Sequence, residues 1–160
     1  MKILFLHGRE SSPNSTKVTF LRGKGHEVHA PVLDKDDWEQ SVLAARHAIE
    51  HFHPDVIVGS SRGGAVAMAA CHTAQARTIP MVLVAPAWVK YAPWATCNGL
   101  AIVVHSIDDE VVPYHHSEKL QHLYGARLIS AGMSHRMTDF EALDAIQTAC
   151  ENQERYLDEY

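Results

Sequence analysis

Cysteine is scarce in this chain. The three residues Cys71, Cys97 and Cys150 lie far apart with no C-x-x-C pair. An odd, scattered set argues against a disulfide framework and points to a reduced, cytoplasmic setting. Long apolar runs are missing too. No segment approaches membrane-spanning length, and Met1-Lys2-Ile3-Leu4-Phe5-Leu6 is too short for the apolar region of a signal peptide and meets no small-residue cleavage site. Clustered basic residues are absent: Lys+Arg 14 against Asp+Glu 19 leave a net charge of −5, which argues against nucleic acid or an anionic membrane as the main partner. Low-complexity tracts and internal repeats are lacking as well. What remains is an ordinary globular composition, 46% hydrophobic over 160 residues, which predicts one domain spanning 1–160.

Histidine, by contrast, is plentiful, with twelve residues. His47 and His51 stand one helical turn apart and His115 adjoins His116, but no third ligand falls at a recognised metal spacing, so these read as a solvated face. Neither a metal nor an organic cofactor is expected.

The chain alternates apolar runs with helical patterns. Strands are predicted at residues 3–6, 27–30, 56–58, 81–85, 100–104 and 126–130, and helices at 15–22, 38–52, 64–74, 114–124 and 138 to about 153. Asp36 with Glu39, and Thr138 with Glu141, offer capping boxes. Glu27 to Ala30, stopped by Pro31, suits a sheet edge. Continuous rather than alternating apolar strands imply burial on both faces, hence a mostly parallel six-stranded sheet inside a three-layer α/β/α sandwich. Ligands in such sheets bind beyond the carboxyl ends of the strands.

At those ends the chemistry gathers. Gly59-Ser60-Ser61-Arg62-Gly63 has the form G-x-S-x-G between a predicted strand and a predicted helix, the context of a nucleophile elbow with Ser61 as nucleophile. Side chains at 59 and 63 would collide with neighbouring backbone in so tight a reversal. The Arg62 amide, an unpaired donor at the new helix, can face a developing oxyanion. The fifth strand runs into Ser106-Ile107-Asp108-Asp109-Glu110, and the sixth into Gly132-Met133-Ser134-His135. A serine hydroxyl needs an imidazole to take its proton, and that imidazole needs a carboxylate on its other nitrogen. His135 and an acid near 109 meet both needs, in the chain order Ser, Asp, His.

Four features together, Leu6-His7-Gly8-Arg9-Glu10-Ser11-Ser12-Pro13, the elbow, Asp109-Glu110-Val111-Val112-Pro113 and Gly132-Met133-Ser134-His135, make the chain resemble a compact α/β-hydrolase without a cap domain, similar to the YqiA-like esterases. The resemblance spans nearly the whole chain. It implies Ser61 as nucleophile, His135 as general base and acid, Asp109 rather than Asp108 or Glu110 as the orienting carboxylate, and the amides of Arg9 and Arg62 as an oxyanion hole. It implies a small-molecule ester or thioester substrate cleaved through an acyl-enzyme intermediate; a peptidase or amidase with the same triad, or a non-catalytic interaction protein on this fold, are the alternatives. His7 reads as a loop organiser, His105 as strand-end packing and Ser60 as structural. Many relatives have Gly where this chain has Ser106, and a missing cap predicts an open pocket. The side chains of Arg9, Arg62 and Arg136 are candidates for ringing its entrance and attracting an anionic substrate, and Trp88, Tyr91, Trp94 and Tyr114 for walling an acyl pocket.

Overall fold

A computed structural model of the chain describes residues 1–72, 76 and 78–159. Six strands, β1 (Lys2–Leu6), β2 (Glu27–His29), β3 (Val56–Ser60), β4 (Met81–Val84), β5 (Ile102–His105) and β6 (Arg127–Ser130), form one parallel sheet in the order β2-β1-β3-β4-β5-β6. Between them run α1 (Thr16–Gly23), α2 (Trp38–Phe52), α3 (Arg62–Ala70), the short α4 (Trp88–Tyr91), α5 (His115–Tyr124) and α6 (Phe140–Asp158). The alternating side chains of β1 separate the two cores. Leu4 and Leu6 join Val42, Ala45, Met68 and Leu120 on one face, while Ile3 and Phe5 join Val18, Leu21, Ile146 and Ala149 on the other. Helices on both faces of a fully parallel sheet complete the expected three-layer sandwich, with short β2 at its edge.

Two helix starts differ from the capping boxes read in the sequence. For α2 the cap is Asp37, not Asp36: its Oδ1 accepts from the Gln40 amide at 3.0 Å. The Gln40 side chain in turn accepts from the Asp34 amide, while Asp36 is drawn off to the Arg9 guanidinium. For α6 the cap is Asp139, not Thr138, because Asp139 serves the Ala142 amide and also accepts from the Met133 amide, tying the preceding loop to the helix. The helix expected over 64–74 is α3, whose described part begins at Arg62 and ends at Ala70; positions 73 and 74 lie outside the described residues. The short helix α4, between β4 and β5 where the sequence predicts no element, starts on Trp88, whose buried indole donates to the His116 carbonyl at 2.9 Å. All three cysteines are buried free thiols.

Gly63 shows how closely the layers meet. A Cβ there would lie 2.0 Å from the Leu6 carbonyl oxygen and 2.6 Å from that of His7, so only glycine lets α3 seat against the end of β1. Both partners are backbone and cannot give way. Gly63→Ala is therefore expected to cost at least about 4 kcal/mol, or more than about 10 °C in Tm, measured by thermal melting; a melt within 3 °C of the parent would contradict this packing.

Candidate active site

Chain order and sheet order part company at β1. The chain leaves it for β2 on one side and then returns to β3 on the other, so the loops after β1 and β3 diverge and leave a crevice at their carboxyl ends. The crevice holds the first candidate. Ser61 follows β3 directly with φ 55° and ψ −118°, a conformation L-residues seldom adopt and one that stores about 1–3 kcal/mol. It is held there by its own amide donating to the Val84 carbonyl at 2.9 Å, and by its carbonyl accepting from Ala87 at 3.0 Å and Gly64 at 3.0 Å. A Cβ on Gly59 would meet the Gly63 carbonyl oxygen at 2.6 Å, the steric reason for glycine on both sides of the serine.

The hydroxyl thus lifted from the sheet donates to His135 Nε2 at 2.9 Å. His135 Nδ1–H donates to Asp109 Oδ2 at 2.7 Å. Asp109 is wholly buried at its side chain, and its Oδ1 accepts from the Val111 and Val112 amides, each at 2.7 Å. Burial alone would raise its pKa. The hydrogen bond from His135 and those from Val112 and Val111 outweigh it and hold the carboxyl below its ordinary value. Asp108 is exposed, and the Glu110 carboxylate accepts from the His135 backbone amide at 3.3 Å. Ser106 clips the two loops together: it donates to the Gly132 carbonyl at 2.8 Å and accepts from the Asp108 amide at 3.1 Å.

The fold has counterparts among known proteins. The model of a family described as Uncharacterised protein family (UPF0227) matches residues 2–99. The chain belongs to this family. No curated protein sequence matches it significantly. Among solved structures, the UPF0227 chain is similar to a Xanthomonas campestris pv. campestris protein of the alpha/beta hydrolase superfamily (22% identity, 99% of each chain covered, TM-score 0.72). It is also similar to mouse alpha/beta hydrolase domain-containing protein 10 (15%, 98% and 90%, 0.79) and to Est1E from Butyrivibrio proteoclasticus (14%, 96% and 88%, 0.75). The UPF0227 chain has the fold of the α/β-hydrolase superfamily, and among the described residues no cap covers its strand ends.

Around Ser61 of this UPF0227 member opens a cleft of about 660 Å³, lined by Gly8, Arg9, Lys17, Arg62, Tyr91 and His135 among others. A Cβ built on Gly8 would stand 4.0 Å from Ser61 Oγ, so the backbone leading to Arg9 runs alongside the hydroxyl. The Arg9 and Arg62 amides donate to no acceptor among the described residues. The three arginine side chains fare differently. Arg9 bonds the Lys35 carbonyl, Asp36 and Glu10. Arg62 is buried, donating to Ser41 Oγ and the Asp34 carbonyl beside the stacked rings of Trp38 and Tyr91, and burial lowers its pKa. The Arg136 side chain is exposed and has no such ties among the described residues. Of the aromatic candidates, Tyr91 lines the cleft; Trp88, buried against α5, Trp94, half exposed, and Tyr114 do not.

Two residues, Lys17 and His105, took on roles the sequence did not signal, while His7 keeps its expected one. Lys17, at the start of α1, is buried on the cleft wall, donates to the Arg136 carbonyl at 2.6 Å, and has its pKa pushed down to about 8 by burial. His7, expected as a loop organiser, donates through Nδ1 to the Gly8 carbonyl (2.8 Å) and accepts at Nε2 from the Leu33 amide (3.1 Å). His105, expected to be packing, bonds Asp109. Its i,i+4 spacing to the acid was the one signal available. His47 and His51 stack at 4.0 Å on the exposed face of α2, and among the described residues no group of three or more His, Cys, Asp or Glu could hold a metal ion. Nor, among them, is any helix long and apolar enough to cross a membrane.

Proposed function

We propose that this chain is a serine hydrolase that cleaves carboxylic esters, or thioesters, through an acyl-enzyme intermediate, its 160 residues acting as one domain. The observation that carries the reading is the continuous contact from Ser61 Oγ to His135 Nε2 (2.9 Å) and from His135 Nδ1 to Asp109 Oδ2 (2.7 Å), at the mouth of a cleft. A carboxylate on Nδ1 selects the tautomer whose Nε2 is free to accept the serine proton, and it stabilises the imidazolium that results. Attack on the substrate carbonyl would then place its oxygen between the Arg9 and Arg62 amides, donors that serve no other acceptor among the described residues. His135 hands the proton to the leaving group, and afterwards activates water against the acyl-serine. Likeness to hydrolases of this fold supports the reaction class, and the strained backbone at Ser61 supports the role of that residue.

Reaction with a fluorophosphonate tests the reading directly, because covalent capture requires an activated serine. The expected result is one adduct per chain on the peptide containing Ser61, blocked by Ser61→Ala. An unlabelled native protein, or label on another serine, would sink the assignment.

A further inference from the structure

We propose that His105 is a positioning residue of this site: it shares Asp109 Oδ2 with His135, locks the carboxylate in place and takes up part of the charge it presents to the His135 imidazole. The polarity of the contacts follows from their partners. His105 Nε2 lies 2.9 Å from Asp109 Oδ2 and 3.1 Å from the Val112 carbonyl oxygen. Both oxygens only accept, so Nε2 carries the hydrogen. On the other side Nδ1 stands 2.6 Å from Ser117 Oγ, a buried hydroxyl on α5 that donates to a neutral ring. Neutrality is what the surroundings favour: burial lowers the affinity of His105 for a proton, against the opposing pull of Asp109.

With His105 included, Asp109 has four donors: the Val111 and Val112 amides on Oδ1, and the two imidazoles on Oδ2. A carboxylate offers about four lone-pair positions in its plane, so every one is occupied and the group cannot swing away from His135. Packing alone would not call for this arrangement. A leucine fills similar space at a buried strand end without the cost of burying an imidazole, a cost met here by bonds at both nitrogens. Each donor also draws charge from the carboxylate. Losing the His105 bond leaves more negative charge facing His135 Nδ1, which favours the imidazolium and raises its protonation midpoint.

The other groups near the pair do not change in this comparison. Around His105 these are the Tyr114 ring at 5.5 Å, Ser117, and His116, whose own pKa is lowered mainly by burial. Around His135 they are Ser61, the Glu110 carboxylate on its backbone amide, and Arg136 next along the chain.

The test is an NMR titration of the His135 ring, its signal assigned by loss in His135→Gln, in the parent and in His105→Leu, His105→Gln and Ser117→Ala. In His105→Leu the midpoint is expected to rise by about half a unit to one unit. Gln at 105 places an amide donor on the same oxygen and should hold the midpoint within about 0.2 unit of the parent. Ser117→Ala, which weakens the donor and is the gentler change should the leucine variant fail to fold, should raise it by less. On a nitrophenyl ester, His105→Leu should lower kcat by about tenfold with KM within about twofold, and His105→Gln should recover most of the loss. A midpoint unmoved in both His105→Leu and Ser117→Ala overturns the proposal, as does a glutamine variant that behaves like the leucine one. The kinetic effect rests on the hydrolase reading, but the titration does not: if the midpoint moves as stated while the parent cleaves no ester, the hydrolase reading falls and the positioning role stands.

Discussion

Ser61→Ala is expected to lower turnover of a nitrophenyl ester by about 10³-fold or more while leaving the fold intact. Alanine removes the one atom that reaches His135 Nε2 and changes nothing that holds the turn, since the Val84, Ala87 and Gly64 contacts of residue 61 are all made by its backbone. Residual activity would come from the amides of Arg9 and Arg62 and from binding in the cleft. The strained φ of 55° at this position supplies an internal control. Ser61→Gly is equally inactive on this account, yet should be more stable than the alanine variant by about 1 kcal/mol, because glycine adopts that conformation without penalty. Steady-state kinetics and thermal melts read both effects. An alanine variant with parental turnover ends the case for Ser61.

Asp109→Asn is the second large effect, expected at about 10³- to 10⁴-fold in kcat near neutral pH with little change in KM. Asparagine keeps the shape of aspartate but offers one acceptor and one donor where four hydrogens now converge. If its oxygen faces the Val111 and Val112 amides, its NH₂ confronts both imidazoles and forces His135 toward the tautomer that cannot accept the serine proton. If it is flipped, the two amides lose their acceptor. The flipped orientation strands buried donors and the other forces a tautomer change on the imidazoles, so stability should fall by about 1–3 kcal/mol as well. Because the folded protein holds the Asp109 carboxyl below its ordinary value of 3.8, the carboxylate stabilises the fold above that pH, and the contribution is lost as pH falls through the lowered folded value. Melting curves from pH 7 to pH 3 should therefore drop less steeply in the asparagine variant than in the parent. The exposed Asp108 supplies the contrast: Asp108→Asn should leave kcat within about twofold, as surface changes usually do. A large loss there, with Asp109→Asn near parental activity, would reassign the acid.

Much of this was legible from one dimension because the relevant forces act between near neighbours in the chain. Glycine at 59 and 63 reports a backbone reversal that no side chain tolerates, and the structure supplies the oxygens responsible, at 2.6 Å for Gly59 and 2.0 Å for Gly63. Uninterrupted apolar strands report burial on two faces. The helix caps mark where this reach ends. Asp36 and Asp37 are equally good caps by type, and the choice fell to Asp37 because Arg9, twenty-seven positions away from Asp36, claims the other carboxylate. Thr138 yielded to Asp139 for a similar reason, the Met133 amide being within reach of the aspartate.

By itself the sequence determined the alternation of strands and helices, the parallel sheet, the tight turn that carries Ser61, and the presence of a histidine and an acid at two other strand ends, since each depends on residues adjacent along the chain. The tertiary structure alone decided that a second histidine joins the Asp109 oxygen that faces His135, that the Arg62 guanidinium is buried beside Trp38 and Tyr91, and that Lys17 sits in the cleft wall. Those outcomes are contests among side chains brought together by the sheet order from positions up to 119 residues apart, and hydrogen-bond geometry is settled by fractions of an ångström that no spacing along the chain encodes.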